Sequence, residues 1–181
     1  MKQYLLGIDI GTSACKIAIF DGDGRVIASG NGDYPVYYPQ AGWAEQNPEE
    51  WWSAVCQAVK KVIEKAGIQP EEIAGIGIDG QSWSAIAMDK DGNVLTNTPI
   101  WMDTRAQSIC DRLNEEIGAD KIFEVSGNSL QPSYTTAKIL WYKENLPEVY
   151  AKIDKILQSN SYIAYKLTGV MSQDVSQGYG L

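Results

Sequence analysis

Three apolar runs, YLLGIDI, CKIAIF and RVIASG, follow one another within the first thirty residues. Only the short breaks GTSA and DGDG separate them. A break of that length cannot carry a crossover, so neighbouring runs must return antiparallel. The Asp-Gly pairs at 21–24 are a strong hairpin signal. The chain is therefore committed early to three antiparallel strands, with GIDIGTS (residues 7–13) forming the first turn. That turn raises a question, because a buried strand ends there in a carboxylate, a glycine and two small hydroxyls.

Residues 33–46 are polar, aromatic and proline-containing, and read as a loop. The clearest helix follows in NPEEWWSAVCQAVKKVIEKAG. Asn47 is its expected cap, Pro48 takes the first turn, Glu50 is placed to close a capping box, and Gly67 ends it. Val55, Val59, Val62, Ile63 and Ala66 form one apolar stripe. Trp51 and Trp52, at the start of this amphipathic helix, read as packing residues. EIAGIGIDG reads as a buried strand, and AIAMDKDGNVLT as a hairpin on a second Asp-Gly turn. Helical patterns cover 104–117, about 135–145, and 159–167. GVMSQDVS begins like a new strand or loop. This order predicts an α/β domain, a mixed sheet with helices packed on it.

The 181 residues carry a net charge of -8 and no histidine. A nucleic-acid binder usually presents a basic face, so that partner is not expected. Without histidine, acid–base chemistry would fall to carboxylates. Three cysteines, Cys15, Cys56 and Cys110, are too few and too scattered for a disulfide framework or a metal pattern, and point to a reducing cytoplasm. The apolar run at the N-terminus is too short for a signal peptide, and no stretch is long enough to cross a membrane. SQGYGL, ending at Leu181, carries no stop signal, so the expectation is that the natural polypeptide continues.

GIDIGTS has two readings. In one it is a tight turn, with Gly11 supplying positive φ and Asp9 capping nearby amides. In the other it is a phosphate cradle: a turn with little side-chain bulk exposes backbone N–H groups, Thr12 and Ser13 add hydroxyl donors, and Lys16 can reach a phosphate oxygen. Asp9 then makes sense if Mg²⁺ or its water shell sits between carboxylate and phosphate. A Walker loop does not fit, since its Gly-Lys-Ser/Thr opens a helix and this turn opens a strand. An aspartic-protease turn would need a second such acid.

Several stretches together resemble the N-terminal half of the FGGY carbohydrate kinases, within the actin-like ATPase superfamily. They are GIDIGTSACKIAIFD, GWAEQNPEEWW, GIGIDGQSWSAIAMDKDGNVL, PIWMDTRA, SGNSLQPSYTTAKILW, IDKILQSNSYIAYKLTG and SQDVS, in the family's order. Within the family the likeness is greatest to xylulose kinases. The resemblance implies an actin-like (ribonuclease-H-like) domain, with ATP and Mg²⁺ as cofactors and a sugar as substrate. It places Asp9, Gly11, Thr12, Ser13 and Lys16 toward the ATP phosphates, with Asp9 toward the metal. It places Gln81, Ser82, Trp83, Trp101, Asp103 and Tyr134 on the sugar side. Carboxylates and amides there suit hydroxyls, and aromatic rings suit C–H faces. Trp101 could equally be plain core, and Asp103 could cap the helix at 104–117. The resemblance puts the family's general base, a catalytic aspartate, beyond Leu181, and the adenosine-binding glycines with it. Residues 1–181 are thus expected to be an N-terminal domain, inactive alone, with a homodimer one option for its assembly. Xylulose kinases usually have Gln-Met-His where Gln81-Ser82-Trp83 stand, and an Asp where Ser161 precedes Tyr162. Asp174 and Ser176 match a family segment without an assigned role. The reading from another class is a sugar-binding or regulatory module that has lost catalysis.

Overall fold

The alternation of the first thirty residues resolves into β1 (Tyr4–Ile10), β2 (Ala14–Phe20) and β3 (Val26–Asp33), as the short breaks require. The computed structural model describes residues 3–178. Leu181, the residue past which the general base is expected, lies outside the described residues, as does the end of SQGYGL. After β3, the expected loop holds a two-residue strand, β4 (Glu45–Gln46), before α1 (Pro48–Ala66). Asn47 caps α1 by accepting from the Glu49 amide at 3.0 Å. The expected capping box does not form, because the Glu50 carboxylate accepts instead from the Tyr37 hydroxyl at 2.7 Å. Gly67 ends the helix in the left-handed region, at φ 66°.

β5 (Ile73–Gly80) then lies parallel to β1, and the sheet order is β3-β2-β1-β5. Leu6, Ile8 and Ile10 of β1 and Cys15, Ile17 and Ile19 of β2 point to one face, where Trp51, Ala54, Val55, Ala58 and Val62 of α1 cover them. Val59, Ile63 and Ala66 flank this core, so the expected stripe is the seam of α1 with its centre shifted toward Trp51. α1 approaches closely because β3 carries glycine where it crosses. A Cβ on Gly32 would stand 2.8 Å from the Ala54 carbonyl oxygen.

β6 (Ile86–Met88) is buried on both sides. Ile86 and Met88 join the first core, while Ala85 and Ala87 enter a second with Ile109, Cys110, Ala137, Trp141 and Tyr142. β7 (Thr98–Pro99) pairs with β4. The helical half holds α2 (Gln107–Glu116), α3 (Ala119–Ser126), α4 (Thr135–Asn145) and the short α5 (Pro147–Tyr150). It closes with β8 (Lys155–Leu157), which pairs with β6, and α6 (Ser159–Thr168). α3 lies outside the expected helices, and GVMSQDVS takes the loop alternative, running into a 3₁₀ turn at Val175–Gly178. Among the described residues, no helix is long and apolar enough to cross a membrane.

The crossing of α1 over β3 generates a test. Gly32→Ala should lower stability by roughly 1–3 kcal/mol, because the added methyl meets backbone that cannot move aside. Gly77→Ala, whose Cβ would meet nothing within 4 Å, should be neutral or stabilising by up to about 1 kcal/mol. Urea midpoints of the two variants should fall on opposite sides of, or one at, the parent value. A Gly32→Ala midpoint equal to the parent would refute the close approach.

Candidate functional site

The GIDIGTS turn is closed by the Gly11 amide donating to the Ala14 carbonyl at 3.1 Å. Gly11 is not in the positive-φ region. Its glycine matters for space instead, since a Cβ would stand 3.0 Å from that same Ala14 oxygen. Nor does Asp9 cap local amides. Its half-exposed carboxylate faces Lys16 at 3.3 Å, an exposed pair worth little to stability. The register places Asp9 between Lys16 on β2 and Asp79 on β5, and Lys16 opposite Asn31 on β3. These four residues cross the sheet on the face opposite α1. They line an open concavity of about 1010 Å³.

The other half of the turn is held from behind. The Tyr34 hydroxyl donates to the Gly11 carbonyl at 2.7 Å, and the Tyr34 amide to the Ser13 carbonyl at 3.2 Å. Gln46, 0% exposed, donates through Nε2 to the carbonyls of Thr12 at 2.8 Å and Pro35 at 2.9 Å. Its Oε1 accepts from Gln81 Nε2 at 2.8 Å. The Gln81 amide donates to the Ile10 carbonyl at 2.8 Å. Trp101, 42% exposed, donates its indole N–H to Thr12 Oγ1 at 3.0 Å. With its oxygen already accepting, the Thr12 hydroxyl keeps its proton to donate. Ser13 is exposed at the tip. Residues expected on the phosphate side and on the sugar side thus meet in one hydrogen-bonded network.

Trp83 stands next to Gln81 and Ser82 with φ 63°, the one non-glycine residue at positive φ among those described. A bulky side chain there costs on the order of 1–3 kcal/mol. Its ring packs on Tyr134, centroids 4.9 Å apart, while Trp101, the ring expected beside it on the sugar side, bonds to Thr12.

Asp103 departs from both expectations for it. It is 0% exposed. Its carboxylate accepts from the Ala44 amide at 2.7 Å, the Arg105 amide at 3.0 Å, and Arg105 Nε and Nη2 at 2.9 and 2.8 Å. The residue capping α2 is Ala106, with no side-chain bond. With every acceptor direction used, Asp103 serves the backbone and not a ligand. Arg105 also donates to Glu45 at 2.9 Å and stacks over the Trp43 ring at 3.9 Å. Burial works against the Arg105 charge, but the bonds to Asp103 and Glu45 outweigh it and hold the pKa above the ordinary value.

Sequence reasoning passed over Glu45, Gln46, Arg105 and Lys138. Lys138 sits inside α4, 0% exposed, and Nζ donates to the carbonyls of Trp83 and Ile100, each at 2.7 Å. Burial pushes it down to about 7, against the pull of Asp103 and with the push of Arg105. Only the sequence neighbourhood of the two aromatic segments could have drawn attention to it, since a helical lysine ordinarily reads as solvated.

No group of three or more metal-ligating side chains occurs among the described residues. The accessible Asp9 carboxylate, with exposed Asp79 beside it on β5, does fit Mg²⁺, which keeps most of its waters and is held by one or two carboxylates plus phosphate oxygens.

The N-terminal domain model of the FGGY family of carbohydrate kinases matches residues 4–178. The chain belongs to this family. It is 34% identical over 178 residues to the xylulose kinase of Bacillus subtilis (strain 168), covering 98% of this chain and 36% of that protein. It is 33% identical to the glycerol kinase of Thermococcus gammatolerans, covering 97% and 36%. Among solved structures, the gluconate kinase from Lactobacillus acidophilus superposes with a TM-score of 0.92 at 30% identity, over 99% of this chain and 36% of that one. The ligand-bound xylulose kinase from the same organism gives 0.91 at 30% identity, over 98% and 36%. The actin-like α/β fold implied by the resemblance is the fold of this FGGY chain, which spans about a third of the length of these relatives.

Lys138 makes stability depend on pH. Between about 7 and the ordinary lysine value of 10.5, the unfolded chain binds a proton that the folded chain does not. Stability should therefore rise with pH through that window, and be lost as pH falls toward 7. Chemical denaturation between about pH 7 and 9 should show a rise of up to about 1.4 kcal/mol per pH unit. Lys138→Met should flatten it; an equal slope in parent and variant would exclude Lys138 as its source.

Proposed function

We propose that this chain is the N-terminal, sugar- and phosphate-facing domain of an ATP-dependent, xylulose-kinase-like carbohydrate kinase that acts on a ketopentose or related sugar. The observation that supports the reading is the network joining the Gly11–Ser13 turn to Gln81 and Trp101, since it brings together the residues read as phosphate-facing and those read as sugar-facing. The turn amides and the hydroxyls of Thr12 and Ser13 donate to phosphate oxygens, and Lys16 supplies a cation at the rim. Asp9 would hold Mg²⁺ through its water shell, and the ion would neutralise charge on the transferred phosphoryl group. Gln81 and Ser82 bond sugar hydroxyls, while Trp83, Tyr134 and Trp101 cover C–H faces. Asp103 acts at one remove, through Arg105 and the Ala44 amide. In transfer, a sugar hydroxyl oxygen bonds to the γ-phosphorus as the bond to the β–γ bridging oxygen breaks. The hydroxyl proton passes to a carboxylate beyond Leu181, so residues 1–181 alone are inactive. Trp83, standing where xylulose kinases usually place histidine, sets which sugar is preferred. The surroundings of a cytoplasmic enzyme suit the three unpaired cysteines.

A coupled assay of ADP release on the complete kinase, with D-xylulose, other pentuloses, glycerol and gluconate, tests this. Sugar-stimulated turnover is expected, with kcat falling at least about 100-fold in Asp9→Ala. No stimulation by any of these compounds would move the reading to a sugar-binding module without catalysis. Turnover by residues 1–181 alone would overturn the placement of the base.

A further inference from the structure

The segment after β5 leaves the sheet with its carbonyls unclaimed by a neighbouring strand, and one helix takes them up in succession. Lys138 donates to the Trp83 carbonyl, Thr135 Oγ1 lies 3.5 Å from the Ser84 carbonyl, and the Tyr142 hydroxyl donates to the Ala85 carbonyl at 2.9 Å. Thr135, Lys138 and Tyr142 are spaced i, i+3 and i+7, so a single stripe of α4 grips three consecutive peptide groups. All three are fully buried. Thr135 Oγ1 also accepts from Gln158 Nε2 at 2.8 Å, while Lys138 reaches the loop that carries Trp101, through the Ile100 carbonyl at 2.7 Å. Ile100 immediately precedes Trp101, and Trp83 carries the positive φ.

We infer that Lys138 is a positioning residue of the sugar side: bridging the Trp83 and Ile100 carbonyls, its amino group sets the spacing of the two loops that carry Trp83 and Trp101. The claim rests on the sugar-kinase reading of those tryptophans. The chemistry favours lysine for this task. Two facing carbonyls need donors alone; a glutamine NH2 can supply two, as Gln46 does, but on a shorter stem and with an amide oxygen that must find its own donor. The guanidinium of arginine is a wider planar fork. A lysine nitrogen on a four-carbon stem meets both oxygens from inside a packed helix. The charged groups facing it are Asp103 and Arg105, with Glu45 beyond Arg105. The Ala85 amide, donating to Thr98 Oγ1 at 3.1 Å, also ties the two segments, and Lys138 joins them at the carbonyls of Trp83 itself and of Ile100 beside Trp101.

The test uses the complete kinase labelled with 5-fluorotryptophan. The fluorine lines of Trp83, Trp101 and Trp51 are assigned from single Trp→Phe variants. In Lys138→Met, the lines of Trp83 and Trp101 should shift or broaden, while Trp51, buried beneath the sheet, keeps its line. The KM for the preferred sugar should rise at least tenfold, with the KM for MgATP changed less than twofold. Unmoved Trp83 and Trp101 lines with an unchanged sugar KM would overturn the inference, as would equal losses in both KM values. Should the Trp51 line collapse, the variant is unfolded and the unmutated protein decides. Its Trp83 and Trp101 lines should then move together across pH 7, at the midpoint of the Lys138 ¹³Cε signal; independent behaviour refutes the clamp. If the unmutated kinase shows no sugar-stimulated turnover, the kinase reading fails, and the fluorine spectra still decide the role of Lys138.

Discussion

The parallel pairing of β1 with β5 is the constraint on which the site depends. Two parallel strands end at the same edge of a sheet, so whatever follows each of them is brought together there. Here Gly11–Ser13 follows β1 and Gln81–Trp83 follows β5, and the bond from the Gln81 amide to the Ile10 carbonyl extends the ladder one step past the strand. The antiparallel β1–β2 hairpin alone would have produced the turn and the Asp9–Lys16 pair. Only β5, returning after α1, gives the turn a neighbour with different chemistry.

Beyond the strand ends the backbone is irregular, and its polar groups need partners from outside regular structure. Long side chains supply them from below. Gln46 serves Thr12, Pro35 and Gln81 with one amide. The Asp103 carboxylate and Arg105 tie the segment after β7 to Ala44 and Glu45. Lys138 serves Trp83 and Ile100. Each of these polar groups is costly to bury unpaired and inexpensive once paired. A loop fixed by such residues has one arrangement in which all are satisfied, which is how an irregular segment acquires the rigidity that a binding surface needs.

The same division explains what could be read from the residues alone. The three-strand meander was legible because Asp-Gly turns and strict alternation leave no other pairing, and α1 because Asn47, Pro48 and Gly67 mark its ends. That the GIDIGTS turn and the Gln81 and Trp101 segments share one neighbourhood was legible through a family likeness; spacing alone left the turn undecided. β4 and β7 were not legible, since two residues carry no periodicity. Asp103 read as a ligand or a cap because an aspartate before a helix usually faces water, and here its partner Arg105 is buried with it. Lys138 was hidden for the complementary reason: hydropathy assigns a helical lysine to solvent, and its two acceptors are carbonyls, which every residue has.

Trp83 shows what that hidden layer supports. Its backbone is held at φ 63° through its carbonyl, by Lys138, and through its chain neighbours, by the Gln81 amide on one side and the Ser84 and Ala85 carbonyls on the other. None of these bonds involves the side chain of residue 83. A different side chain at this position would inherit the same direction and the same place against Tyr134 without rebuilding the loop. The conformation is strained for any L-residue bearing a Cβ, and the bonds from the helix beneath help to hold it. Such an arrangement can exchange one side chain while the backbone beneath it, and the GIDIGTS turn tied to it through Gln46 and Gln81, stay as they are. Relatives that share this fold and are known as xylulose, glycerol and gluconate kinases are what such a separation of recognition from support would be expected to yield.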